Sequence, residues 1–339
     1  KEEILNLKIL QKEVLLKITH SGVCHSDVHI HDGYFDLGGG NKLPVGAMLN
    51  LPHTMGHEIE GIVASVGPDV TDIEIGSNVV AYPWIGCGEC ATCKAGDEHY
   101  CNAPRQLGIQ LPGGFADYCI VPDSKYVLDY EGIRPGLAAT YMCSGLTAFG
   151  ALKKFVNISD DDHILIMGLG GVGMMGLQFA RALFNCKILA ADIDPNKLQA
   201  AKGAGADEVY DTSDELSIKK LLEDTGGGVK ATADFVGAEK TVQYSLDSTK
   251  KGGQVVVVGL FGGAFQMPIP MFPLSAKSIG GSFVGNLEET KEMLELETCG
   301  NILQIKSCVF FEYGLEISIF SCAFFTLAAA TIFIALVTC

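Results

Sequence analysis

The stretch His163-Ile-Leu-Ile-Met-Gly-Leu-Gly-Gly-Val-Gly173 decides the fold of this chain. Residues 163–168 form a short apolar run of strand length, and they lead directly into three glycines in the spacing Gly-x-Gly-x-x-Gly. Residues 174–183 then have a helical pattern. A strand, a glycine turn and a helix in direct succession predict the first βα unit of a dinucleotide-binding sheet.

Each glycine of this motif has a distinct task. Gly168 permits the turn, Gly170 lets the backbone approach a pyrophosphate, and Gly173 lets the helix pack on the strand. The N–H groups at the start of the helix can then bind phosphate. Asp192 follows the next strand, where its carboxylate can accept hydrogen bonds from ribose hydroxyls and would repel the extra phosphate of NADP. The motif therefore predicts NAD, and the alternative is a tight turn without a cofactor.

Four further apolar runs predict strands of the same sheet: 187–191, 232–236, 254–258 and 278–283. They alternate with helical segments along the chain. Repeated βα units predict an α/β fold with a doubly wound parallel sheet.

The first part of the chain, residues 1–144, is β-rich instead. Residues 14–18 and 60–67 carry β-branched side chains between turn formers, and glycines and prolines recur, as at Gly38-Gly39-Gly40. This spacing predicts short strands joined by tight turns.

A cysteine cluster lies within this β-rich part. Cys87, Cys90, Cys93 and Cys101 can surround one tetrahedral zinc with no open position, which predicts a structural site. Free or disulfide-linked cysteines are the alternative, although nothing in the sequence indicates secretion. A nucleic-acid zinc ribbon is disfavoured because the loop holds few basic residues.

A second set of metal-binding residue types is spread along the chain. Cys24 begins the run Cys-His-Ser-Asp-Val-His29, His57 stands in Gly-His-Glu, and Cys143 lies further on. Two thiolates and one imidazole suit a catalytic zinc that keeps one tetrahedral position open for substrate. Taken singly, each residue is equally well an ordinary buried cysteine or histidine.

Length and composition restrict the possible functions. The 339 residues suffice for two domains, and the net charge of -16 disfavours nucleic acid or an anionic membrane as a partner. The 12 cysteines are typical of metal ligands plus scattered thiols in a reducing compartment, and no secretory signal is found. We therefore expect a cytoplasmic protein.

Together these motifs resemble the zinc-dependent medium-chain alcohol dehydrogenases over roughly residues 14–300. The resemblance implies a GroES-like catalytic domain at 1–144, a Rossmann coenzyme domain at 145–286, and a return to the catalytic domain at 287–339. It also implies hydride transfer between NAD and a primary or secondary alcohol, with an aldehyde or ketone as product. Relatives hold two zinc ions per chain and are dimers or tetramers, so we expect a homo-oligomer.

The resemblance assigns roles to individual residues. Cys24, His57 and Cys143 would bind the catalytic zinc, and the four clustered cysteines the structural zinc. Ser26 would take the alcohol proton and His29 would end the relay to solvent. Asp27 and Glu58 would orient the ligands. The cofactor-binding positions would be His25, Thr147, Gly168, Gly170, Gly171, Val172, Gly173, Asp192 and Lys197. Trp84 would line the substrate pocket.

Several alternatives remain at this stage. Lys197 is as readily a solvated surface residue, and Trp84 a core residue. A polyol dehydrogenase of the same superfamily is the nearest rival, although those enzymes resemble one another in carrying Glu where this chain has Cys143. A non-catalytic NAD-binding relative would be expected to lack a ligand or relay residue.

The carboxyl-terminal segment departs from the resemblance. Residues 301–339 lack the expected family pattern, and from Ile317 onward no residue is charged. This run is long enough to span a bilayer. A frameshifted end is the interpretation we favour, and a membrane anchor is the alternative.

Overall fold

The molecule contains two β-sheets of six strands each. Most strand pairs of the first sheet are antiparallel, and all pairs of the second are parallel. The computed structural model describes residues 8–46, 49, 51–298 and 318–319. The strands of the first half are β1 (Val14–Val23), β2 (Tyr34–Gly38), β3 (Asn41–Pro44), β4 (Glu58–Val66), β5 (Asn78–Ala81), β6 (Tyr118–Val121) and β7 (Val127–Asp129). Those of the second half are β8 (His163–Met167), β9 (Lys187–Asp192), β10 (Glu208–Asp211), β11 (Val229–Asp234), β12 (Thr249–Val257), β13 (Ser278–Gly281) and β14 (Ser318–Ile319).

The first sheet has the order β14-β1-β4-β5-β7, with β6 also paired to β1. Val14, Leu16 and Ile18 of β1 are buried because alternate side chains of a strand point to the same face. The strands predicted at 14–18 and 60–67 are confirmed as β1 and β4, although β4 ends one residue earlier, at Val66. The hairpin β2–β3 forms a separate two-stranded sheet.

The helices of the first half are short, namely α1 (His25–Asp32), α2 (Ala91–Lys94), α3 (Leu137–Thr140) and α4 (Leu146–Leu152). A π turn, Tyr141–Gly145, joins α3 to α4 and is buried throughout. Those of the second half are α5 (Gly171–Leu183), α6 (Pro195–Gly203), α7 (Ser217–Asp224), α8 (Glu239–Ser248), α9 (Met271–Ser275) and α10 (Leu287–Thr298).

The second sheet has the order β10-β9-β8-β11-β12-β13, and every pair in it is parallel. Relabelled from its first strand, this is the doubly wound order 3-2-1-4-5-6. The predicted Rossmann architecture is confirmed. One boundary differs, since α5 begins at Gly171 rather than at residue 174. Gly171 and Gly173 lie within the helix, which brings its free N–H groups closer to β8.

Hydrogen bonds connect the two halves near α10. The Tyr82 hydroxyl donates to the carbonyl of Gly285 at 2.9 Å, and Nδ2 of Asn286 donates to Asp97 at 3.3 Å. The predicted domain boundaries, after residues 144 and 286, stay predictions.

The end of the chain, for which we favour a frameshift over a membrane anchor, lies almost entirely outside the described residues. Apart from β14, which pairs in parallel with Gly22 and Val23 of β1, the residues after 298 lie outside the described ranges. Among the helices that are described, none is both long and apolar enough to cross a membrane.

Candidate catalytic metal site and coenzyme cleft

Cys24, His57 and Cys143 meet at one point in the interior. The two Sγ atoms are 3.8 Å apart, and Nε2 of His57 is 3.3 Å from Cys143 Sγ. Bond lengths to tetrahedral zinc imply ligand separations of about 3.5 to 3.8 Å, so the three atoms fit that ion. The separation of the sulfurs is too long for a disulfide.

Three different elements bring these ligands together. Cys24 is the N-cap of α1, directly after β1. His57 immediately precedes β4, and Cys143 lies in the π turn between α3 and α4. The pairing of β1 with β4, which aligns Gly22 with Glu58, sets the first two ligands side by side.

The three ligands of the cluster have pKa values shifted from their usual ones. Hydrogen bonding to Cys143, together with the nearby His57, holds the pKa of the Cys24 thiol well below its usual value, although burial opposes this. Burial disfavours a charged His57, but Asp27 outweighs it and raises the pKa of the ring well above its usual value. The Cys143 pKa is raised by its hydrogen bond to Cys24 and by burial. One thiolate is thus already stabilised before a metal binds.

Asp27 fixes the orientation of two ligands at once. Its Oδ1 lies 3.1 Å from Nδ1 of His57, and its Oδ2 accepts a hydrogen bond of 2.9 Å from the backbone N–H of Cys24. Holding Nδ1 turns the other ring nitrogen of His57 toward Cys143. An outer carboxylate of this kind sets the tautomer of a metal-binding histidine.

Glu58 provides a second buried carboxylate at the cluster. Its Oε1 accepts hydrogen bonds from the N–H and the hydroxyl of Ser144, at 3.3 and 2.8 Å. Its Oε2 is buried and has no hydrogen-bond partner among the described residues. Burial, and then repulsion by Cys24, raise the pKa of Glu58 to about 8. An orphaned carboxylate oxygen beside three metal-binding side chains is the environment that a cation would stabilise.

The four clustered cysteines form a separate site in the same half of the molecule. The Cys90–Cys93 sulfur separation is 3.4 Å, and the Cys87–Cys93 and Cys90–Cys101 separations are 3.9 Å. All four sulfurs lie within 4.8 Å of one another. The spacing again fits tetrahedral zinc and excludes disulfides.

Local backbone geometry builds this second site, which we call the cysteine lobe (residues 86–103). Gly88 and Gly96 have φ angles of 78° and 94°, which a side chain would disfavour. Backbone N–H groups donate to the sulfurs, including that of Cys93 to Cys90 and that of Ala103 to Cys101. A Cβ atom at Gly86 would lie 2.5 Å from Cys93 Sγ.

Glu98 connects the cysteine lobe to the turn that precedes β7. Its Oε2 accepts hydrogen bonds from the Tyr126 hydroxyl at 2.5 Å and from the N–H of Gly86 at 3.1 Å. Its Oε1 accepts from Lys125 at 2.6 Å. Burial opposes the charge, but these donors lower the pKa of Glu98 below its usual value. Sequence reasoning missed this residue because its partners lie far along the chain.

The predicted relay residues lie on α1, immediately after Cys24. Ser26 and His29 are half-buried, and His25 is exposed. The rings of His25 and His29 stack at 4.8 Å, and the tilted ring of Phe35 also lies 4.8 Å from that of His29. Burial, and then the charge of His25, lower the pKa of His29. His29 is therefore neutral near pH 7 and can accept a proton.

The glycine turn after β8 has the geometry that phosphate binding requires. Gly168 has a φ of 84°, and a Cβ atom at Gly173 would lie 1.7 Å from the carbonyl oxygen of Gly168. At Gly170 a Cβ atom would meet nothing within 4 Å, so the backbone is open to a ligand. Gly171 and Val172 form the first turn of α5, and Thr147 is half-buried on α4.

Asp192 is more constrained than sequence analysis expected. It ends β9 and is buried, and its Oδ2 accepts a hydrogen bond of 2.7 Å from the N–H of Leu169 in the glycine turn. Its Oδ1 accepts from the N–H groups of Ile193 and Asp194. Lys197 Nζ lies 3.9 Å from Oδ2, and its side chain is 25% exposed. The carboxylate therefore ties the turn to β9.

Trp84 packs against the three-ligand cluster. It is 3% exposed, its Nε1 donates to the carbonyl of Met142 at 2.8 Å, and its ring lies 5.5 Å from that of His57. Phe283, which follows β13 in the other half, contacts it edge-on at 5.6 Å. Sequence analysis did not identify Phe283 as a site residue, because it stands in a run predicted only as a strand.

Comparison with known proteins identifies the family. Residues 10–131 match the model of the alcohol dehydrogenase GroES-like domain, and residues 171–298 match that of zinc-binding dehydrogenases. An NAD-dependent alcohol dehydrogenase of Saccharolobus solfataricus is 36% identical over 294 residues, which are 86% of this chain and 83% of the relative. The chain belongs to the zinc-type medium-chain alcohol dehydrogenase family. It is thus an oxidoreductase of a family that acts on alcohols.

Further relatives agree with this membership. An alcohol dehydrogenase of Geobacillus stearothermophilus is 34% identical over 310 residues, covering 90% of this chain and 86% of its own. The crystal structure of an alcohol dehydrogenase from Aeropyrum pernix superimposes with a TM-score of 0.75 at 29% identity, covering 86% of this chain and 83% of that one. Family membership and the two metal-capable clusters support zinc and NAD as cofactors.

Proposed function

We propose that this chain is an NAD-dependent alcohol dehydrogenase that requires zinc at Cys24, His57 and Cys143. The observation that carries this proposal is a cluster of three ligands, which leaves one tetrahedral position for a substrate oxygen. A primary or secondary alcohol and its aldehyde or ketone are the proposed substrates. The four cysteines of the cysteine lobe would bind a second zinc, which would be structural.

The bound cofactors would supply a Lewis acid for the alcohol oxygen and an acceptor for the hydride. The residues of the chain would control the proton and the geometry. Ser26 lies two residues from the ligand Cys24 and one helical turn before His29, so both side chains share one face of α1. Ser26 would accept the alcohol proton and His29, neutral near pH 7, would release it to solvent.

Coenzyme preference follows from the glycine turn and Asp192. The open backbone at Gly170 would receive the pyrophosphate, with His25 as a further contact. The carboxylate of Asp192 supports NAD over NADP because a 2′-phosphate would be placed against its charge. Lys197, beside that carboxylate, is proposed to contact the adenosine ribose. Val172 and Thr147 are proposed to line the nicotinamide.

Trp84 and Phe283 would form the apolar wall of the alcohol pocket. The ring of Trp84 contacts the proposed zinc ligand His57, and the ring of Phe283 contacts that of Trp84. The hydrogen bond from Trp84 to Met142 fixes the indole, so this wall is expected to be rigid. A polyol or sugar substrate is the second candidate, because the crystal structure of a D-arabinose dehydrogenase from Sulfolobus solfataricus superimposes with a TM-score of 0.79 at 25% identity.

A direct assay tests the proposal. Purified protein is supplied with NAD or NADP and a panel of primary alcohols, secondary alcohols and polyols, and NADH formation is followed. We expect turnover with NAD and simple alcohols that disappears on zinc chelation and returns with added zinc. Turnover that survives complete zinc removal would contradict the proposed mechanism, and preference for polyols would favour the second candidate.

The relay is tested with Ser26→Ala. We expect turnover to fall by roughly 10²-fold, the usual size of an acid–base contribution, while the zinc content stays unchanged. Unchanged turnover would contradict the role of Ser26.

Self-association through the β13 edge is the proposed form of the expected homo-oligomer. The other edge strand, β10, carries Glu208 and Asp211, whereas residues 252–287 contain a single charge, Lys277, which donates to the carbonyl of Leu246. An edge strand without charged side chains can pair with the same strand of a second copy. Two copies of an acidic chain would repel each other least across an interface without carboxylates. We expect Ile279→Lys, placed on this edge, to reduce the mass measured by light scattering.

A further inference from the structure

The β2–β3 hairpin is a firmly built extension of the first half of the molecule. Its strands pair Tyr34 with Pro44 and Asp36 with Lys42. At the tip, the Gly38 N–H donates to Asp36 Oδ1 at 2.8 Å. Nearer the root, Nζ of Lys42 lies 3.4 Å from the centroid of the Tyr34 ring. These contacts stabilise the hairpin as a unit.

The root of the hairpin lies on the helix that carries the proposed relay. Phe35 contacts the ring of His29 at 4.8 Å, and the N–H of Val45 donates to the carbonyl of Gly33 directly after α1. A displacement of the hairpin would therefore change the packing around the His29 ring.

The tip of the hairpin touches the other half of the molecule, backbone against backbone. A Cβ atom at Gly38 would lie 2.5 Å from the Cα of Gly263. From the opposite side, a Cβ atom at Gly262 would lie 2.8 Å from the carbonyl oxygen of Asp36. Only residues without side chains allow this approach, and no hydrogen bond joins the two segments among the described residues.

The segment that receives the hairpin is itself held rigidly. The N–H of Gly262 donates to the carbonyl of Gly237, and that of Phe261 donates to Val236, both at 3.1 Å. Gly262 also forms a β-bridge with Ala238. These residues follow β11 and β12 at the carboxyl end of the parallel sheet, where a doubly wound fold binds its coenzyme.

We propose that the β2–β3 hairpin is a strap across the coenzyme cleft, and that the contact of Gly38 with Gly263 retains bound NAD or NADH. The proposal rests on the proposed function, since it takes NAD as the coenzyme. A strap held by packed glycine backbones can part without breaking hydrogen bonds. The same hairpin contacts His29 at its root and the loop beside the coenzyme at its tip. Closure of the cleft would therefore also position the relay residue His29.

Two glycines of the same hairpin provide a matched experiment. Gly38 and Gly40 have φ angles of 79° and 81°, so alanine strains the backbone equally at both. Only at Gly38 would the new methyl group meet the other half, because a Cβ atom at Gly40 has nothing within 4 Å. Gly262→Ala introduces the same obstruction from the coenzyme side.

The measurement is the rate of NADH dissociation from the zinc-loaded protein, followed by NADH fluorescence during a chase with excess NAD. We expect Gly38→Ala and Gly262→Ala to accelerate release, at least about fivefold as is typical of an interdomain coupling. Gly40→Ala should stay within about twofold of the wild type. Circular dichroism checks that each variant is folded, and if Gly38→Ala alone fails to fold, Gly262→Ala decides.

Equal release rates for Gly38→Ala and Gly40→Ala, with Gly262→Ala also unchanged, would overturn the strap while leaving the proposed function intact. Failure of the wild type to bind NADH would overturn the proposed function, and the strap with it.

Discussion

The two metal-capable clusters both contain cysteine sulfurs but are built in opposite ways. In the cysteine lobe, the first and last ligands, Cys87 and Cys101, are 14 residues apart, and nearby backbone N–H groups hold the sulfurs. In the three-ligand cluster, Cys24 and Cys143 are 119 residues apart and come from different elements. The lobe is a local structure, whereas the cluster exists only once the fold has formed.

The hydrogen-bond partners around the two clusters differ as well. Backbone donors surround the lobe, and its carboxylate Glu98 is satisfied by Lys125, Tyr126 and Gly86. The three-ligand cluster instead has the buried carboxylates of Asp27 and Glu58 beside it, and within the described part of the chain Oε2 of Glu58 has no hydrogen-bond partner. A satisfied shell is suited to holding a metal permanently. A cluster with three ligands and a buried acid of raised pKa is suited to chemistry at the metal.

Removing a ligand from the three-ligand cluster should give the largest functional effect. We expect His57→Ala to lower alcohol turnover by at least about 10³-fold, because several kcal/mol of charge stabilisation are lost. Metal analysis should show zinc falling from two ions to one while the lobe keeps its own. His31→Ala, at an exposed position on α1, serves as the control and should change neither quantity.

Removing a ligand from the cysteine lobe should act on stability instead. We expect Cys93→Ser to lower the melting temperature by about 10 °C, since metal binding contributes folding free energy. The control Cys119→Ser, at a buried cysteine outside both clusters, separates ligand loss from burial of a hydroxyl. If Cys93→Ser abolished turnover in protein that remained folded, the division of labour between the clusters would be wrong.

Asp27→Asn tests the charge around the three-ligand cluster. An amide cannot support His57 as a carboxylate does, so we expect the affinity of that site for zinc to fall by about 10- to 100-fold. Competition with a chelator measures the affinity, and Asp32→Asn on the exposed side of α1 is the matched control. An unchanged affinity would show that Asp27 only caps the helix.

Glu98→Gln should give the smallest effect, a loss of about 1–2 kcal/mol of stability from a charge-assisted hydrogen-bond network. The pKa of Glu98 is lowered in the folded state, so its contribution is present above the unfolded pKa and is lost as pH falls below about 4.3. Melting curves of the wild type and the variant should therefore converge in acid. Glu89→Gln, at an exposed position of the lobe, is the control.

Local patterns explain which parts could be predicted from the sequence. The βα unit around Gly168 and the four cysteines of the lobe are encoded within short stretches, so spacing alone indicated their geometry. The residue types of the other cluster indicated a catalytic zinc, but spacing could not predict its geometry, because β1–β4 pairing and the π turn bring the three ligands together. Phe283 and Glu98 could not be found, since contacts from distant elements define their roles.

The position of Trp84 gives the molecule an optical property that is useful for following its chemistry. It is the only tryptophan in the chain, and it packs against His57 in the interior. The indole emission of the protein therefore originates from a single place, next to the proposed zinc ligands. Metal loading should quench or shift that emission, and energy transfer from the indole to a bound reduced nicotinamide should report coenzyme occupancy. The protein thus carries an intrinsic reporter of its own active site, without any label.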